Sequence, residues 1–207
     1  MNNVIRFLYK AIVVGCMIFM SKLYKWITFV LLKLNGIKIG NGLRVYRGIP
    51  SFQISRKSGN VIFGKHLTLN NYETHSWYCK CKFYVKDNAR LTIGDNTGLN
   101  GVMIFCADRI KIGNYVNIGG GTRIYDSNFH NLDWQKRRCP GTNTQAKTSP
   151  VIIEDDVFVG ANCMIGKGVT IGARSIIAAG SVVIKSIPAD CIAGGNPCKV
   201  VKNITTK

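Results

Sequence analysis

Aliphatic residues recur every six positions through the last third of the chain. Ile153, Val159, Ile165, Ile171, Ile177 and Val183 form an unbroken column, and the next residue is Gly or Ala in four of the six cases, at Gly160, Gly166, Gly172 and Ala178. A second column, four residues after the first, reads Val157, Cys163, Val169, Ser175, Ser181 and Ile187. A period of six matches neither an α-helix nor a flat half-buried strand, but it suits a coil whose wall turns after every short strand. The aliphatic residue points into the coil, where equivalent positions stack, and the small residue permits a tight corner. Three such walls make one turn of a triangular prism. The same phrase occurs as Ile112-Gly113, Ile118-Gly119 and Ile124, and more loosely as Ile39-Gly40 and Ile93-Gly94. Between residues 46 and 90 the period is poor, which predicts irregular coils or loops there.

The first thirty-odd residues are nearly free of turn formers and dense in Ile, Val, Leu, Phe, Met, Tyr and Trp, which predicts a helix. Residues 1–35 therefore form an appended segment, and residues 36–207 the repeat domain. Lys22, Lys25 and Lys33 interrupt the apolar run, unlike a cleaved signal. The longest uncharged stretch, Ala11 to Ser21, is shorter than the roughly 20 residues that cross a bilayer. On a wheel of 100° per residue, Arg6, Lys10, Lys22, Lys25 and Lys33 share about half the circumference, with an apolar face opposite. Two expectations stand side by side: a helix lying on an anionic membrane surface, with Trp26 and Tyr24 at the boundary, or one packing on the coil end or another subunit.

Charge narrows the partners. Lys and Arg number 28 against 10 Asp and Glu, a formal +18, so an anionic partner is expected. The basic residues are dispersed apart from short groups such as Lys136 to Arg138, which argues against nucleic acid. The eight cysteines show no CxxC pair and read as reduced, mostly buried thiols of a cytosolic protein.

These columns resemble the left-handed parallel β-helix of the hexapeptide-repeat acyltransferases, a mainly β fold. The resemblance runs roughly from Ile93 to Lys202. It is strongest in the ending, from Ile177 to Val183 and from Gly195 to Lys202, which is similar to the branch of maltose, galactoside and polysaccharide O-acetyltransferases. The resemblance implies the left hand of the coil, a homotrimer whose sites form between adjacent subunits, acetyl-CoA as acyl donor, and a saccharide hydroxyl as acceptor without a metal. Together with a membrane-seeking N-terminal segment, it suggests a cytoplasmic enzyme at the inner face of the cell membrane, beside precursors of a cell-surface polysaccharide.

The period lapses from about residue 126 to 150, and a long loop in a tight solenoid demands a reason. His130 sits near its start. Histidine takes a hydroxyl proton near neutral pH, and the resemblance makes His130 the general base. Asp126 or Asp133 is placed to hold its imidazole, each with a turn-forming alternative. By resemblance Asn100 is an active-site asparagine, Ala161 and Ala179 let the pantetheine arm lie close to backbone, and Lys185, Lys199 and Lys202 meet the phosphates. Ile184 departs from a common Thr. Two rival functions remain: a metal-dependent hydratase of γ-carbonic-anhydrase type, which would need His66, His75 and His130 around zinc, and a non-catalytic β-helix scaffold.

Overall fold

The structure is a computed structural model and describes residues 3–74, 77–139 and 146–204. A single long helix, α1 (Asn3–Leu34), leads into six three-walled coils. Coil one is β1 (Lys38–Ile39), β2 (Arg44–Tyr46) and β3 (Ser51–Ile54). Coil two is β4 (Val61–Phe63) and β5 (Thr68–Asn70), then an antiparallel hairpin of β6 (Tyr72–Thr74) and β7 (Trp77–Cys79), then β8 (Lys82–Val85). Coils three and four are β9 (Arg90–Ile93), β10 (Gly98–Asn100), β11 (Met103–Cys106), and β12 (Arg109–Ile112), β13 (Asn117–Ile118), β14 (Arg123–Tyr125). The interrupting loop carries α2 (Trp134–Arg138). Coils five and six are β15 (Val151–Ile153), β16 (Phe158–Val159), β17 (Met164–Ile165), and β18 (Thr170–Ile171), β19 (Ile176–Ile177), β20 (Val182–Val183). A final half-coil holds β21 (Cys191–Gly194) and β22 (Lys199–Asn203), which folds back antiparallel and caps the stack.

Each wall is a parallel sheet. Wall one runs β1, β4, β9, β12, β15, β18; wall two runs β2, β5, β10, β13, β16, β19, β21; wall three runs β3, β8, β11, β14, β17, β20. The six-residue column expected from the sequence is the set of inward residues. Ile112, Ile153 and Ile171 stack on wall one, Ile118, Val159 and Ile177 on wall two, and Ile124, Ile165 and Val183 on wall three, all buried. The second column, Val157 to Ile187, fills the space under the corners and is buried as well.

The stretch from 46 to 90, where the pattern is weak, continues the same stack. Phenylalanines take the inward positions there, with Phe83 between Phe52 and Phe63 at centroid distances of 5.3 Å. The hairpin also inserts extra residues at the corner between walls two and three, which breaks the six-residue count without breaking the register of β5 with β10.

The helix departs from the amphipathic expectation. Thr28 and Leu32 are buried against coil one, with Tyr24 packed beside them, and Ser21 Oγ donates to Val45 O at 3.4 Å. At 100° per residue those four lie in the same half of the wheel as Arg6 and Lys10, so the docked stripe falls within the basic arc. The C-terminal part of α1, from Ser21, thus belongs to the coil stack. Its N-terminal part is largely exposed.

Candidate active site

The chain leaves the stack at Tyr125, at the corner between walls three and one, and its two stems are pinned together. Asn128 N–H donates to Lys147 O at 3.2 Å, Ser149 N–H to Asp126 O at 3.0 Å, and Ser127 faces Thr148 in an antiparallel bridge. The Asp126 side chain is buried, and its Oδ1 and Oδ2 accept from the N–H groups of Ala107 and Asp108, one coil below, at 2.7 and 2.8 Å. This corrects the sequence expectation that Asp126 orients the histidine: both its oxygens satisfy backbone donors that burial would otherwise leave unpaired. The Cys106 thiol lies beside it, and burial and the neighbouring carboxylate push its ionisation far above the ordinary range. Asp133, the other candidate, is the N-cap of α2 and accepts from Gln135 N–H at 2.9 Å.

Phe129 precedes the histidine in the left-handed region, φ 62. For a bulky side chain that costs about 1–3 kcal/mol and persists only where the surroundings hold it. Its ring packs on Phe105 and Tyr125 at centroid distances of 4.6 and 5.4 Å, and its N–H donates to Ser127 Oγ at 3.0 Å. His130 follows with an exposed side chain, its N–H donating to Asn128 O at 2.7 Å. A groove on wall three opens beside the loop base, lined by Met103, Arg123, Tyr125, Phe129, Lys167 and Ile184 among others. His130 follows Phe129 of that lining directly in sequence and is not itself part of it.

A second set of residues meets at the other edge of wall three, the corner after wall two. In strand register, Tyr46, Asn70 and Asn100 stack on coils one to three. Above them the equivalent positions are Gly119, Gly160, Ala178 and Gly194, reading one residue beyond the paired Ile118, Val159, Ile177 and Ala193. From Gly119 upward this corner is a strip of small residues with main chain at its surface. A Cβ on Gly160 would meet the Ala179 nitrogen at 2.5 Å. Ala161 and Ala179 thus stand one above the other along the strip, linked by Gly180 N–H to Ala161 O at 2.8 Å. Lys199, paired with Gly194, stands at its upper end, and Asn100 at its lower end. At about 4.8 Å between strands, Gly119 to Gly194 is roughly 14 Å. Lys202 pairs with Ile192, further along β22, while Lys185 follows Ile184 at the opposite edge of wall three, with the histidine loop. Asn70 was not singled out from the sequence. The repeated pair Leu69-Asn70 and Leu99-Asn100 is the signal that could have found it.

Within one chain, then, His130 and Asn100 flank wall three from opposite sides. That wall is three to four residues wide, about 10–13 Å at the usual rise per residue. Among the described residues no three His, Cys, Asp or Glu side chains converge. His66 sits at the corner between walls one and two, and His75 lies outside the described residues.

The hexapeptide repeat of succinyl-transferase is matched over residues 150–185. A candidate acetyltransferase of Saccharomyces cerevisiae is 38% identical over 135 residues, 65% of this chain and 66% of that protein. Among solved structures, a hexapeptide-repeat-containing acetyltransferase of Vibrio cholerae in complex with acetyl coenzyme A is 39% identical, with a TM-score of 0.51 over 56% of this chain and 61% of that one. A maltose O-acetyltransferase of Clostridium difficile is 35% identical, with a TM-score of 0.50 over 56% and 60%. The matches thus span about two thirds or less of those relatives' own lengths. Repeat, strand register and these likenesses agree: the chain is a hexapeptide-repeat β-helix similar to these acetyltransferases.

Proposed function

We propose that the protein is an acetyl-CoA-dependent O-acetyltransferase acting on a saccharide hydroxyl, with His130 as general base. The observation that carries this is the strip of small residues from Lys199 to Asn100. Its surface is backbone with Ala161 and Ala179, which suits a long flexible arm that hydrogen-bonds main-chain groups. Lys199 at its end offers a cation to phosphate, as a point charge and not a bidentate fork. The Vibrio cholerae neighbour holds acetyl coenzyme A; the same donor here would bring its thioester toward Asn100.

The step is a direct transfer. His130 takes the proton of the acceptor hydroxyl as its oxygen attacks the thioester carbonyl, a C–O bond forms, and the negative charge on the carbonyl oxygen is met by the Asn100 amide or backbone N–H groups. Collapse breaks the C–S bond, and the proton returns from His130 to the departing thiolate. Histidine and strip lie at opposite edges of wall three, which supports a site closed between two copies: the loop of one chain over the strip of the next, in a cyclic homotrimer. The Clostridium difficile neighbour, a maltose O-acetyltransferase, favours a sugar hydroxyl as acceptor.

The test is thiol release from acetyl-CoA in the presence of a panel of sugars and amino sugars, with the His130→Ala protein as the control. Acceptor-dependent release lost in the variant supports the reading. Transfer only to amines would replace the O-acetyltransferase by an N-acetyltransferase.

A further inference from the structure

The free part of α1 is bare on every side. Phe7, Tyr9, Met17, Ile18 and Phe19 are 71%, 69%, 57%, 54% and 66% exposed, and at 100° per residue they point all round the helix. A helix apolar all round belongs in lipid or in a bundle. Charge decides between them. Residues 1–72 contain eleven Lys and Arg and no Asp or Glu, whereas all ten acidic residues and the other seventeen basic ones lie beyond. The end of the molecule made by α1 and the first coils is therefore uniformly cationic, which disfavours stacking identical copies of it and favours an anionic surface. By length and composition Ile5–Leu34 is apolar enough to enter a bilayer, and with Thr28 and Leu32 docked on coil one its N-terminal part is the portion left to do so.

Where α1 passes the coil stack it leaves an apolar groove. Val13, Cys16, Met17 and Met20 line one side, and Tyr46, Arg47 and Asn70 the other. The groove ends at Asn70, whose Oδ1 is buried without a hydrogen-bond partner, and Asn70 stands in register beneath Asn100. Resting on the acyl-transfer reading, we propose that the acceptor is a lipid-linked saccharide drawn from an anionic bilayer, its hydrocarbon chain in this groove and its polar head at Asn70 and Asn100. Donor and acceptor then approach Asn100 along one corner from opposite ends. Acetyl-CoA comes down the small-residue strip from Lys199, and the lipid-linked sugar comes up from α1.

Two measurements on the full-length protein test this. The first is flotation with vesicles of phosphatidylcholine alone and with added phosphatidylglycerol. Binding should be stronger with the anionic lipid, and rising salt should remove that advantage. The second is acetyl transfer to methyl, octyl and dodecyl glucoside below their micelle concentrations. Because each methylene removed from water contributes to affinity, kcat/KM should rise by about tenfold or more with chain length. Met20→Asp lies outside the coil core; it should abolish that gain while the melting temperature holds. Equal rates on all three glucosides, or a chain-length gain that Met20→Asp leaves intact, would overturn the groove. Failure to bind either vesicle, with α1 instead raising the oligomer mass, would assign the helix to a second copy and overturn the proposal. Absence of transfer to every acceptor would sink the transferase reading itself, and this one with it.

Discussion

A Cβ placed on Gly119 would lie 2.5 Å from the backbone nitrogen of Ala161 on the next coil, so the two residues meet with no room for a side chain between them. The surface at that corner is main chain, and only side chains beyond it are free to grow. Stability and donor binding can therefore be separated by position along one corner.

Ala179→Leu enlarges an exposed residue of the strip. The expected result is a KM for acetyl-CoA raised about tenfold, the scale of losing roughly 1.4 kcal/mol of binding, with the melting temperature unchanged. Gly119→Val should do the reverse, lowering the melting temperature because the Ala161 backbone cannot move aside. An unchanged KM in Ala179→Leu would mean the donor lies elsewhere.

Asp126→Asn replaces an acceptor-only carboxylate with a group that has one carbonyl oxygen, so Ala107 or Asp108 N–H loses its partner. A buried donor left unpaired costs about 1–3 kcal/mol. Chemical denaturation should show that loss, together with reduced turnover as the loop base loosens. A variant of full stability but much reduced kcat would instead return Asp126 to the role of orienting His130.

The chain has five buried thiols, Cys81, Cys106, Cys163, Cys191 and Cys198, one half-buried, Cys79, and two exposed, Cys16 and Cys139. Burial pushes the Cys81 thiol up to about 11 and raises those of Cys106, Cys163 and Cys198 as well. A thiol reagent at pH 8 acts on the thiolate. Mass spectrometry of the native protein should find rapid modification at Cys16 and Cys139, with the buried five reacting only in denaturant. Fast native labelling of Cys81 would contradict the packing of coil two.

The difference between what the sequence makes legible and what it hides is one of range. Ile153 to Val183 is legible because one inward position repeats every six residues without insertion. Coils one and two are less so, since Phe52, Phe63 and Phe83 replace the aliphatic column and the hairpin from Tyr72 to Cys79 upsets the count. His130 stands out by resemblance and by the lapse in period. The task of Asp126 is hidden, because its partners lie 18 and 19 residues away on another coil. Likewise, Tyr46, Asn70 and Asn100 are 24 and 30 residues apart, unequal steps that only the strand register brings into line.

The most direct test of the central claim is turnover of His130→Ala with acetyl-CoA and a sugar acceptor, measured alongside calorimetric binding of acetyl-CoA. The side chain is exposed on a loop outside the inward columns, so its removal leaves no cavity in the stack. Turnover should fall on the order of 10²–10⁴-fold, the range for removing a general base, while donor affinity and melting temperature hold. Lys199→Ala is the opposing control, expected to weaken donor affinity with kcat retained, because a phosphate contact is made equally before and during the reaction. A folded His130→Ala protein within a few-fold of full activity would contradict the assignment of the base.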